Sequence, residues 1–154
     1  MANTISYAKM YINNQQEHLG MFERNLLCAD LLVRPVNITG KTISYGRTYK
    51  CPKDTDIAVL PIGYADGFLR RYSPGATVTI NGKNYPVCGR ICMDQCMVDI
   101  GKNNKDVHLW DKVMIFGPKE SGALNTADDL AKLGNTISYE VLTSISKRVY
   151  RDIR

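Results

Sequence analysis

Tyrosine is the titratable side chain this sequence holds in quantity, with nine copies against two histidines, His18 and His108. Neither histidine has a nucleophile or a set of metal ligands at a recognisable spacing, so a Ser-His-Asp or Cys-His mechanism does not read from the chain. Any acid or base carried here is expected to be a tyrosine. A phenol titrates near pH 10 and serves as a base at neutral pH only where cations or hydrogen bonds lower that value. The five cysteines, Cys28, Cys51, Cys88, Cys92 and Cys96, are an odd number, which argues against a secreted disulfide framework. Three of them fall four apart in CGRICMDQC, without the CxxC pair or nearby histidine of a structural zinc site. They are expected to pack as small hydrophobes, on one face if the segment is extended, and no metal site is expected.

The frame that must position these groups is small. The chain has 154 residues, 44% hydrophobic and 23% charged, enough to bury one domain core. No run of about 18 apolar residues could span a bilayer, and the first twenty residues lack the basic start and apolar stretch of a secretory signal. A cytoplasmic compartment is expected, with no membrane partner. The net charge of +5 suits an anionic ligand. The basic residues are scattered except at Arg70-Arg71 and at Lys147, Arg148, Arg151 and Arg154, so nucleic-acid binding is not expected and the C-terminal cluster reads as a solvated tail.

The first 25 or so residues are polar and weakly patterned and read as a loop or short helix, so that residues 1–29 are a lead-in segment to a domain over 30–154. From Asp30 the pattern turns strand-like: DLLVRPVNI ending at Thr39-Gly40, then KTISYGRTY, DIAVLPIGY, ATVTI, KNYPV, CMVDI and DKVMIFG, about seven short strands at the spacing of a sandwich or small barrel. Asn81-Gly82 between ATVTI and KNYPV is a hairpin signal. Thr126 or Asn125 can cap a helix in TADDLAKLG, with Asp128 and Asp129 in its first turn and Gly134 at its end. SYEVLTSIS suits a second short helix, and KRVYRDI closes as a strand. The class is mainly β with one or two short helices.

Four segments line up in order: ISYGRTY (Ile43 to Tyr49), PIGYADG (Pro61 to Gly67), VCGRICMDQCMVDI (Val87 to Ile100) and ISYEVL (Ile137 to Leu142). Together they resemble the C-terminal β-domain of the alanine racemases, over about residues 30 to 154. The resemblance implies a Greek-key-like β-barrel domain of an enzyme whose N-terminal (β/α)8 barrel holds pyridoxal 5'-phosphate (PLP) covalently through a lysine. Such a barrel needs about 250 residues, and none of these 154 resembles it. The chain thus looks like part of an enzyme, and the 154 residues alone are expected to be inactive.

By the same resemblance, Tyr45 matches the catalytic tyrosine, one of two bases on opposite faces of the substrate's α-carbon. Tyr64 matches the tyrosine at the active-site entrance, and Arg90 and Asp94 resemble the polar constriction there. Met93 matches a methionine that contacts the substrate carboxylate mainly through its backbone, a better donor than a thioether. Tyr139 matches the tyrosine that hydrogen-bonds the PLP phosphate, and a phenol near a helix start suits an anion. Asp66 most simply bonds its own turn. Burying Arg90 and Asp94 beside the cysteines would be costly, so the chain is expected to turn within CGRICMDQC. The implied activity is interconversion of L- and D-alanine for peptidoglycan by a homodimer, with Tyr45, Tyr64 and Met93 reaching the partner's PLP and Tyr139 serving its own. Racemisation of another small amino acid such as serine, or a non-catalytic β module binding a ligand or partner chain, are the alternatives.

Overall fold

The apolar alternation resolves, in a computed structural model describing residues 9–12, 25–30, 36–37, 40–52 and 54–153, into eleven strands and two helices among those residues. In chain order the strands are β1 (Lys9–Ile12), β2 (Asn25–Asp30), β3 (Val36–Asn37), β4 (Thr42–Ile43), β5 (Tyr49–Lys50), β6 (Asp56–Leu60), β7 (Thr77–Ile80), β8 (Lys83–Cys88), β9 (Cys96–Gly101), β10 (Lys112–Phe116) and β11 (Tyr150–Ile153). The helices are α1 (Ala127–Leu133) and α2 (Ser138–Ser144). No helix among the described residues is long and apolar enough to cross a membrane.

Nine strands form one sheet in the order β11-β1-β2-β10-β7-β8-β9-β6-β3, and β4 and β5 form a separate hairpin. All described pairings are antiparallel except β1 with β11. Strand β8 makes the curl: Lys83 to Pro86 pair with β7, while Val87 and Cys88 pair with β9. The result is a mainly β, half-barrel sheet with two helices packed together and contributing Leu130, Ala131 and Val141 to its core. The core centres on Leu60, Ile62, Phe68, Tyr72, Val78, Ile80, Val98 and Ile115, all fully buried. Each large apolar side chain so buried contributes about 1.5–3 kcal/mol. Buried Thr79 is satisfied: its hydroxyl donates to Asn84 Oδ1 and accepts from the Leu124 N–H, both at 3.0 Å.

Local signals formed where they were expected. Asn81 and Gly82 both take positive φ (49° and 74°) between paired Ile80 and Lys83, a type I′ hairpin turn. Thr126 caps α1 by accepting from the Asp129 N–H, and Asp129 returns the bond to the Thr126 N–H at 2.9 Å.

Three readings are corrected. Lys9–Ile12 is a strand, not a loop or short helix, and β2 starts at Asn25 rather than Asp30: the two strands pair with each other and are flanked by β11 and β10 from far along the chain. KTISYGRTY is not one strand: Ser44 takes φ 69° and the chain enters a 3₁₀ turn at Tyr45–Arg47 before β5. The strand count is eleven rather than about eight with KRVYRDI included, since β1 and β2 add two and KTISYGRTY divides into β4 and β5. Of DLLVRPVNI, residues 31–35 and 38 lie outside the described residues, as do His18 and Arg154.

Candidate active site

Three loops meet on one face of the domain: the turn carrying Tyr45, the Gly63–Gly67 turn carrying Tyr64, and the Gly89–Gln95 connection between β8 and β9. Ser44 joins the first to the third. Its hydroxyl oxygen accepts from the Arg90 N–H at 2.7 Å and donates to the Arg90 carbonyl at 2.8 Å. Such close approach requires Gly89, at φ 71°, where a Cβ would lie 2.4 Å from the Ser44 Cβ. From the other side, Tyr49 on β5 donates to Asp99 Oδ2 at 3.3 Å, and Thr55 donates to the other oxygen of the same carboxylate. Burial, then the Asp99 charge, pushes the Tyr49 phenol up to about 12. The turn is thus pinned at both ends, and Tyr45 itself stands 66% exposed.

The second and third loops are joined backbone to backbone. The Tyr64 N–H donates to the Cys92 carbonyl and the Ala65 N–H to the Met93 carbonyl, both at 3.0 Å. A Cβ at Gly63 would fall 2.2 Å from the Cys92 carbonyl oxygen, so only glycine allows this contact. Met93 and Tyr64 project outward, as do Arg90 and Asp94. The expected turn within CGRICMDQC is present: Cys88 and Cys96 lie in strands, the loop runs between them, and all three cysteines are buried. Cys96 joins the main core, while Cys88 and Cys92 pack with Cys51, Ile57 and Met97.

Asp66 bonds its own turn, accepting from the Gly63 N–H at 2.8 Å. Its other oxygen takes the Arg148 Nε at 2.6 Å, and Arg148 Nη2 reaches Asp94 at 2.5 Å. Arg148 therefore belongs to this face and not to a solvated tail. Hydrogen bonds to Asp66 first, and then to Asp94, raise its already high proton affinity. The ion-pair partner of Asp94 is thus Arg148.

Tyr139 lies on the first turn of α2, 53% exposed and out of the core. The far end of α2 touches the Gly63–Gly67 turn, where Ser144 donates to the Gly67 carbonyl at 3.3 Å. The structure thus joins Tyr45, Tyr64, Met93, Arg90 and Asp94 through their loops and sets Tyr139 one short helix away. Sequence reasoning missed Ser44, Gly89 and Arg148. Ser44 and Gly89 sit inside the quoted motifs, but Arg148 carries no local signal. Among the described residues, no group of three or more His, Cys, Asp or Glu is placed to hold a metal ion.

Comparison with known proteins accounts for this arrangement. The profile of the family described as alanine racemase, C-terminal domain, matches residues 31–153. The chain is 51% identical over 112 residues to alanine racemase 1 of Clostridium acetobutylicum, covering 73% of this chain and 28% of that protein. It is 47% identical over 127 residues to the alanine racemase of Mycobacterium tuberculosis H37Rv, covering 82% and 33%. The crystal structure of alanine racemase from Streptomyces lavendulae superposes with a TM-score of 0.79 at 36% identity, over 88% of this chain and 35% of that one. That of Clostridium difficile 630 gives 0.78 at 39%, over 91% and 35%. The chain spans about a third of the length of these relatives. On the match of its profile, its fold and the motifs that build its stitched loop face, the chain belongs to the alanine racemase C-terminal domain family.

Proposed function

We propose that this chain is the C-terminal β-domain of a PLP-dependent alanine racemase of the cytoplasm and supplies one of its two proton-transfer groups, Tyr45. The observation that carries the reading is the Tyr45 turn: its chain is held by the Ser44–Arg90 bonds on one side and the Tyr49–Asp99 bond on the other, while Tyr45 itself is two-thirds exposed. A side chain pinned at its base and left uncovered by its own domain is built to enter a site completed by another surface. When bound, PLP draws electrons from the substrate's α-carbon and makes its C–H bond acidic. Racemisation without turning the substrate over needs a proton acceptor and donor on each face. The Tyr45 oxygen takes or returns the proton on one face, and a lysine of the barrel serves the other.

Met93 has its carbonyl engaged by the Ala65 N–H, and its own N–H is the group that suits the substrate's carboxylate. Tyr64, Arg90 and Asp94 line the entrance. Tyr139, with its phenol out of the core, has the right chemistry to donate to the cofactor's phosphate. In the homodimer, Tyr45, Tyr64 and Met93 reach the cofactor of the partner subunit and Tyr139 that of its own chain. The 154 residues alone fold without racemising alanine.

The test is Tyr45→Phe in an enzyme reassembled from this domain and its barrel. Packing should change little, since the ring volume is kept. Exchange of solvent deuterium into the α-position of L-alanine should fall by about 10²–10⁴-fold or more, and that into D-alanine much less. Equal loss for both enantiomers with weakened cofactor binding would make Tyr45 structural, and full racemisation would remove it from the mechanism.

A further inference from the structure

Arg148, in the connection between α2 and β11, grips one carboxylate from each of two loops. Asp66 is 6% exposed and also pins its own turn through the Gly63 N–H. Asp94 is exposed and directly follows Met93. The loops that carry them are joined by only two described backbone bonds, from the Tyr64 and Ala65 N–H groups to Cys92 and Met93. A pocket of roughly 370 Å³ lined by Pro61, Asp66, Asp94 and Arg148 opens at this junction, so water can compete for the exposed arm.

The geometry points to Arg148 as a positioning residue: by bridging Asp66 and Asp94 it locks the Tyr64 turn against the Met93 loop, and so sets where the Met93 backbone meets the substrate's carboxylate. The second half of that statement rests on the functional reading above; the clasp belongs to the chain itself. A planar guanidinium offers separate N–H groups to two carboxylates in a fixed fork, which a lysine ammonium on its flexible stem does not reproduce. Removing the cation altogether would strand the buried Asp66 charge and risk the fold. Arg148→Lys keeps a charge beside Asp66. Asp94→Asn weakens the exposed arm without uncovering anything buried.

The experiment has two arms. In the 154-residue chain, both variants should speed hydrogen exchange of the Tyr64 and Ala65 amides by about tenfold, leaving the β7–β8 ladder amides unchanged. In the reassembled enzyme, KM for alanine should rise about tenfold with kcat held within about threefold, and adding Asp94→Asn to Arg148→Lys should cost nothing further. Unchanged exchange in both variants overturns the clasp, as does exchange accelerated alike across β7–β8. A fall in kcat with KM unmoved overturns the link to the carboxylate. Failure of the functional reading shows separately, as full racemisation by Tyr45→Phe, and the exchange arm then still decides the clasp.

Discussion

The hydroxyl of Ser44 satisfies both backbone polar groups of Arg90, accepting from its N–H at 2.7 Å and donating to its carbonyl at 2.8 Å. One side chain thereby substitutes for a rung of strand pairing between segments 46 residues apart. It does so from a left-handed backbone, φ 69°, which costs a non-glycine residue about 1 kcal/mol or more. The two hydrogen bonds, each contributing about 1 kcal/mol, offset that strain.

Replacing Ser44 separates these effects. Ser44→Ala keeps the strain and loses both bonds, and should lower stability by about 1–2 kcal/mol. Ser44→Gly relieves the strain and also loses the bonds. If the bonds position Tyr45, both variants lower kcat of the reassembled enzyme by about tenfold or more, since small misplacements of a reacting group are costly. Wild-type kcat in Ser44→Gly would show that the Arg90 bonds do not position the phenol.

The β7–β8 turn offers a cleaner conformational test. Gly82 sits at φ 74° with nothing within 4 Å of a Cβ built there, so a larger side chain meets no clash. Gly82→Val should therefore lose about 1 kcal/mol or more purely through the backbone. That corresponds to a melting temperature lower by roughly 2–4 °C in a domain of this size. An unchanged melting curve would count against the hairpin.

The cap of α1 carries a pH signature. Burial tends to raise the Asp129 carboxyl, but the backbone and hydroxyl bonds of Thr126 outweigh it and hold the group below the usual aspartate range. A depressed carboxyl stabilises the fold above the unfolded value, near pH 4, and that contribution disappears as pH falls through the folded value. Thr126→Ala should cost about 1 kcal/mol at neutral pH. Chemical denaturation at pH 7 and at acid pH should show the gap between the variants narrowing in acid.

Tyr49 titrates at the opposite end of the scale. Its phenol is pushed up to about 12, above the value near 10 of an unfolded tyrosine. The contribution is complete below pH 10 and fades as pH rises toward the folded value. A difference titration of tyrosinate absorbance between the chain and Tyr49→Phe should place the missing phenol well above pH 10. A midpoint near 10 would show that the Tyr49 phenol is neither buried nor held against Asp99 at the base of the Tyr45 hairpin.

What was legible in the sequence is what a few neighbouring residues decide. Asn81-Gly82 carries its turn because two consecutive residues can take positive φ, and Thr126 with Asp129 starts α1 because their bonds span three positions. The four motifs pointed to the family, since each is a short run of neighbours legible in the local string. Contacts closed by chain reversal were not legible. Ser44 breaks an otherwise strand-like ISYGRTY where its hydroxyl bonds Arg90 on another loop, and β1 is a strand held between β2 and the distant β11. Arg148 read as one basic residue in a basic tail, whereas the fold brings it to Asp66, 82 positions earlier, and to Asp94, 54 earlier. Propensity is a property of neighbours in sequence; a hydrogen bond or ion pair depends on distance in space, and only the folded sheet and its loops supply that distance.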